Sequence, residues 1–137
     1  MKVLILQLGD IHIKDSTDII LGRSKHIVDC LKNLEPDVDA AVCILSGDIT
    51  QTGAPEEFSL ALEFIEQIKT GLEKEFAKPI KLSFVAIPGN HDCYLAEATT
   101  AREVIMRAVQ DTPSKLTDAS FADICLAPQR PFFEFRD

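Results

Sequence analysis

Leu82-Ser83-Phe84-Val85-Ala86-Ile87-Pro88-Gly89-Asn90-His91-Asp92 joins a short apolar run to a turn rich in polar, metal-ligating side chains. Two earlier segments repeat that design. Val3 to Leu8 runs into Gly9-Asp10-Ile11-His12, and Ala40 to Leu45 runs into Ser46-Gly47-Asp48-Ile49-Thr50. Each run is rich in Val, Ile, Leu or Phe without polar alternation, the pattern of strands covered on both faces. Between the first two, Ile27, Leu31 and Leu34 recur at helical spacing and predict a helix over Ser24 to Leu34, stopped by Glu35-Pro36. Between the second and third, Pro55 takes a first helical position, Glu56 and Glu57 follow, and Phe58, Ala61, Leu62, Ile65 and Ile68 form one apolar stripe. Gly71 either closes this helix or sits inside one continuing to Phe76. Strand, helix, strand, helix, strand predicts an α/β fold with a mainly parallel sheet flanked by helices.

In an open parallel sheet the carboxyl ends of the strands share one edge, where ligands bind, so the three turns can meet although far apart in sequence. Asp10, Asp48 and Asn90 would converge there. In extended backbone residues i and i+2 share a face, which would point Asp10 and His12 at one ion. Carboxylate, amide oxygen and imidazole suit a divalent ion such as Mn²⁺, Fe²⁺ or Zn²⁺ and need no cysteine. Were Asp48 to span two such ions about 3.5 to 4 Å apart, the pair could lower the pKa of a bridging water and support in-line displacement at phosphorus. His91 then remains for acid chemistry.

Beyond Ile87, Thr100-Ala101-Arg102-Glu103 matches the capping box S/T-x-x-E and predicts a third helix carrying Val104, Ile105, Ala108 and Val109. Asp111 to Ser114 breaks it, and Ser120 to Leu126 is too short to assign. Pro131-Phe132-Phe133-Glu134-Phe135 places three of the eight Phe in the last seven residues and reads as the start of a continuing element. A length of 137 residues implies one domain. With 46% apolar and 26% charged residues, disorder is disfavoured. The net charge of −8 disfavours a nucleic acid held by a general basic surface, leaves a locally basic groove open, and weakly favours a small substrate. Cys30, Cys43, Cys93 and Cys125 are scattered, without a C-x-x-C pair, and read as reduced cytoplasmic thiols. No apolar stretch approaches the roughly 20 residues that span a bilayer, and Gln7 and Gly9-Asp10 end the first run before it could act as a signal segment. A nucleotide-binding doubly wound domain is disfavoured because neither G-x-G-x-x-G nor a P-loop is present.

Taken in order, D-x-H at Asp10 and His12, G-D-x-x-x-x-G at Gly47, Asp48 and Gly53, and G-N-H-D at Gly89 to Asp92 resemble the calcineurin-like metallophosphoesterases. The resemblance covers residues 10 to 92. It implies two divalent metal ions (Mn, Fe or Zn), with Asp10 and His12 on the first, Asp48 bridging and Asn90 on the second. It assigns His91 to the leaving group and Asp92 to orienting the His91 imidazole. The implied activity is hydrolysis of a phosphate mono- or diester by a metal-activated hydroxide. The substrate is not readable from these residues, and the resemblance leaves cyclic nucleotides, nucleic-acid ends and phosphoproteins all open. The family's further histidine ligands have no counterpart, since His12, His26 and His91 are the only histidines. The expectation is therefore a single domain over 1–137, the N-terminal part of a longer enzyme and by itself weakly active or inactive. The alternative is a truncated or degenerate module that binds metal or a partner without catalysis. Away from the motifs, His26 reads as a solvated or partly packed helix residue, Cys43 as core, Gln51 and Thr52 as shaping the loop after Asp48, and Glu73 to Glu75 as a solvated helix face.

Overall fold

The computed structural model describes residues 1–31, 38–76, 81–96 and 99–137. Strands β1 (Val3–Leu8), β2 (Ala40–Ser46) and β3 (Lys81–Ile87) form a parallel sheet in the order β1-β2-β3. Helices α1 (Ser24–Leu31) and α2 (Pro55–Glu75) make the two crossovers, so the sheet is parallel and flanked by helices as the alternation predicts. The predicted end of the first helix, Leu34 and Glu35-Pro36, lies outside the described residues.

Parallel register aligns Leu6 with Cys43 and Phe84, and Leu8 with Leu45 and Ala86. These residues join the core cluster that also holds Val28 of α1 and Phe58, Ala61, Phe64, Ile65, Ile68 and Leu72 of α2. The other face of the sheet is open among the described residues. Val3, Ile5, Val85 and Ile87 there are 44, 64, 50 and 53% exposed. Coverage on both faces, read from the unbroken apolar runs, is met on one face only by the described residues. An apolar run is apolar on both of its faces and carries no signal for which one a helix covers.

Pro55 pre-sets the first turn of α2, and the buried Glu57 carboxylate accepts from Thr52 N (2.8 Å), Thr52 Oγ1 (2.9 Å) and Ala54 N (3.4 Å). Thr52 thus shapes the loop after Asp48, as expected. The α2 stripe includes Phe64 and Leu72 and excludes Leu62, which is exposed. At about 100° per residue, Leu62 lies about 95° from the centre of the buried stripe and Phe64 about 65°. Gly71 stays inside α2, because a Cβ there would fall 2.6 Å from Val28 Cγ2 and push α1 away. Ser24 Oγ donates to Gln67 Oε1 (2.7 Å) and fastens the same pair of helices.

Helix α3 (Thr100–Asp111) is capped one residue earlier than predicted: extended Thr99, not Thr100, accepts from Arg102 N through its side chain. A 3-10 turn over Pro113–Thr117 follows, then α4 (Ala119–Leu126) and α5 (Arg130–Arg136). Asp118 caps α4 by accepting from Ser120 N and Ser120 Oγ, which is how a segment too short to assign from periodicity holds a helix. The Phe-rich tail folds back as α5. Phe132, 1% exposed, packs against Phe58 of α2 with ring centroids 6.2 Å apart, and Phe135 lies 5.1 Å from the same ring.

Candidate metal centre

The carboxyl ends of the strands continue into turns that bond to each other through backbone. Asp10 N donates to Gly47 O, His12 N to Asp48 O and Ile13 N to Ile49 O, and Gln51 N returns to Ile13 O (2.9 to 3.2 Å). Ile13, Ile49 and Thr50, each fully buried, anchor this ladder in the core. The first two turns are therefore held side by side before any side chain contributes.

Asp10, His12 and Asp48 have φ of 52, 51 and 50°, and they are the non-glycine residues with positive φ among those described. Left-handed backbone at a residue with a Cβ costs about 1 kcal/mol or more, is most accessible to Asn, Asp and His, and gathers where function requires it. This corrects the extended geometry expected of Asp10 and His12: the two side chains converge, but through two left-handed residues. Their ligand atoms and a carboxylate oxygen of Asp48 all lie within 4.8 Å of one another, with His12 Nε2 4.0 Å from Asp10 Oδ1. A contraction of roughly 1 Å would bring them to the ~3.4 Å spacing of tetrahedral ligands about 2.1 Å from one ion. Two carboxylates and an imidazole on strained backbone are a donor set suited to a divalent cation. His12 Nδ1 is buried without a hydrogen-bond partner, so no carbonyl or carboxylate among the described residues dictates which ring nitrogen carries the proton.

The third turn is fastened to the second by the Asp92 carboxylate, which is fully buried. Its Oδ1 accepts from Thr50 N (2.9 Å) and Thr50 Oγ1 (2.9 Å), and its Oδ2 from Ile49 N (3.2 Å) and Gly89 N (2.8 Å). His91 N donates to Asp48 Oδ1 (2.9 Å), which positions one oxygen of the central carboxylate. A Cβ on Gly89 would collide with that same carboxylate, so only glycine leaves room for it.

The expected role of Asp92 in orienting the His91 imidazole is corrected: its oxygens are taken up by Thr50, Ile49 and Gly89. The His91 partner is a backbone group, with Nδ1 2.8 Å from Gln51 O. A carbonyl only accepts, so Nδ1 carries the hydrogen and Nε2 is left free. The His91 ring stands edge-on to His12, with centroids 4.7 Å apart and planes at 85°, which sets it beside the Asp10-His12-Asp48 cluster. Asn90 lies exposed in the turn between Gly89 and His91. Gln51 contributes through its main chain, which no residue-type signal in the sequence could reveal. His26, exposed on α1, stands apart from the cluster, and Cys43 is buried in β2, where burial pushes its thiol up to about 11.

A family model described as calcineurin-like phosphoesterase matches residues 3–122. Over 96 residues, 66% of this chain and 30% of the relative, the chain is 31% identical to the probable glycerophosphodiester phosphodiesterase GpdQ of Arcobacter nitrofigilis. Over 142 aligned residues, 98% of this chain and 27% of the relative, it is 28% identical to the uncharacterized metallophosphoesterase-like protein YydB of Bacillus subtilis. The chain thus spans less than a third of the length of these curated relatives.

Proposed function

The chain belongs to the calcineurin-like phosphoesterase family, and from that premise we propose that it forms part of a divalent-metal-dependent phosphoesterase acting on a phosphate mono- or diester. Asp10, His12 and Asp48 would hold one ion, and Asp48 with Asn90 would hold a second. The observation that carries this reading is the convergence of Asp10, His12 and Asp48 within 4.8 Å, each on left-handed backbone. Divalent ions of the Mn, Fe or Zn type, when bound, lower the pKa of an attacking water and offset charge on the phosphoryl oxygens. The chain's own contribution is positional. Asp92 locks the second and third turns, Gly89 keeps space for Asp48, and Gln51 O holds the His91 ring. With Nδ1 engaged by Gln51 O, the other ring nitrogen of His91, Nε2, is the one left to pass a proton to the leaving oxygen as the ester bond breaks.

A diester substrate is compatible with the name of the Arcobacter relative, a probable glycerophosphodiester phosphodiesterase. Four free thiols, with Cys30 exposed, support a reducing, cytoplasmic setting. Among the described residues no helix is long and apolar enough to cross a membrane. A second reading, a module that binds metal without turnover, is favoured by the single three-ligand group among the described residues, Asp10, His12 and Asp48, with Asn90 exposed in its turn. Leaving-group dependence separates the readings. In the full protein with Mn²⁺, His91→Ala should lower turnover far more for alkyl phosphodiesters than for bis-p-nitrophenyl phosphate, whose phenolate needs little protonation. Metal binding without hydrolysis of either ester would favour the module, and equal losses on both would refute the assigned role of His91.

A further inference from the structure

A second concavity lies outside the metal cluster. The loop leaving the third turn is tied to the C-terminal helices by Tyr94 N donating to Pro128 O (2.7 Å). Beneath that tie is a cavity of about 470 Å³ lined by Tyr94, Thr99, Arg102, Asp123, Arg130 and Glu134, among others. Its volume falls in the range of small-molecule sites.

The charge within it is unspent. Arg102 Nε is buried with no hydrogen-bond partner, and among the described residues neither Arg102 nor Arg130 makes an ion pair, although Asp123 and Glu134 line the same space. A guanidinium has five donors and no acceptor, so the buried Arg102 Nε–H without a partner calls for an anion or carbonyl from outside the protein. The N-terminal turn of the twelve-residue α3 faces the same cavity through Thr99 and Arg102, adding the positive end of a helix dipole. Planar guanidinium forks match phosphate oxygens two at a time.

We propose that this cavity is a phosphate-binding subsite separate from the metal centre, in which Arg102 and Arg130 take the phosphate oxygens and Asp123 and Glu134 accept from hydroxyl groups of the attached alcohol. The shared chemistry is a phosphate dianion, from either inorganic phosphate or a phosphorylated polyol. Because the site uses none of Asp10, His12, Asp48 or Asn90, it holds its ligand without metal.

The test is calorimetric titration of the full protein in EDTA, with inorganic phosphate and with ribose 5-phosphate as probes. Binding should survive chelation and the Asp48→Asn substitution, and should weaken by at least about tenfold in Arg102→Gln and in Arg130→Gln. Arg130 is exposed, so its variant keeps the test valid should Arg102→Gln fail to fold. Tighter binding of ribose 5-phosphate that is levelled by Asp123→Asn would identify the ester as occupant, and equal binding of both probes would identify free phosphate. Loss of binding in EDTA or in Asp48→Asn, undiminished binding in the folded Arg130→Gln variant, or no binding of either probe would overturn the proposal. The first of those outcomes would place the phosphate at the metal centre instead, and the other two leave the metal centre, tested by Mn²⁺ binding, untouched.

Discussion

Replacing Asp92 with Asn should destabilise the chain by about 3 to 5 kcal/mol, a large share of the roughly 5 to 15 kcal/mol that holds a typical domain folded. In the structure two carboxylate oxygens accept four hydrogen bonds at 2.8 to 3.2 Å with no solvent exposure. Asparagine keeps one oxygen and substitutes an NH₂ donor for the other. With the NH₂ at the Oδ2 position, Ile49 N and Gly89 N lose their acceptor and face a third donor. With it at the Oδ1 position, the Thr50 hydroxyl can rotate to accept but Thr50 N is orphaned. The second arrangement costs less, and even there one buried N–H is unpaired, at about 1 to 3 kcal/mol, and the remaining bonds lose their charge assistance. The chain has no Trp and one Tyr, so urea unfolding is best followed by far-UV circular dichroism. The midpoint should fall with the slope unchanged, since the surface exposed on unfolding is the same. A loss below about 1 kcal/mol would refute the claim that this carboxylate holds the second and third turns together.

Two further outcomes follow from packing and ionisation. Phe132→Ala, which empties a position 1% exposed and touching the rings of Phe58, Phe133 and Phe135, should cost about 3 to 5 kcal/mol by the same urea assay; an unchanged midpoint would mean that α5 does not dock on α2 in solution. The Cys43 thiol is held up at about 11 from 9.0 by burial, so between those values the folded chain keeps a proton that the unfolded chain releases. Stability should therefore fall as pH rises from about 9 to about 11, and Cys43→Ala should flatten that decline; a slope identical to that of the parent would refute it.

Much of the frame is legible from residue types because it rests on side-chain pattern. Three apolar runs gave three parallel strands, and Pro55 with its acidic first turn marked the start of α2. The recurring Gly-Asp and Gly-Asn turns pointed to one shared edge, where Asp10, His12 and Asp48 do meet. What escaped rests on backbone groups or on direction. Left-handed φ at Asp10 and His12 is not encoded by any glycine, and the partner of His91 is the main-chain oxygen of residue 51. Asp92 looked like a partner for the adjacent histidine, yet its carboxylate satisfies amides more than 40 positions away at Ile49 and Thr50. Glu103, three residues on, marked Thr100 as the cap, yet the extended backbone and the side-chain bond to Arg102 N fall at Thr99. The one-sided cover of the sheet has the same origin, since Ile5 and Leu6 are alike in hydropathy and differ only in the face they occupy.

Calorimetric Mn²⁺ titration of the parent chain beside Asp48→Asn and His12→Ala tests whether Asp48 is shared by two ions. A carboxylate shared by two ions serves both, whereas His12 serves one, so Asp48→Asn should reduce the total Mn²⁺ bound and its affinity more than His12→Ala does. Equal losses in the two variants, or no Mn²⁺ bound by the parent chain, would rule out Asp48 as a shared ligand.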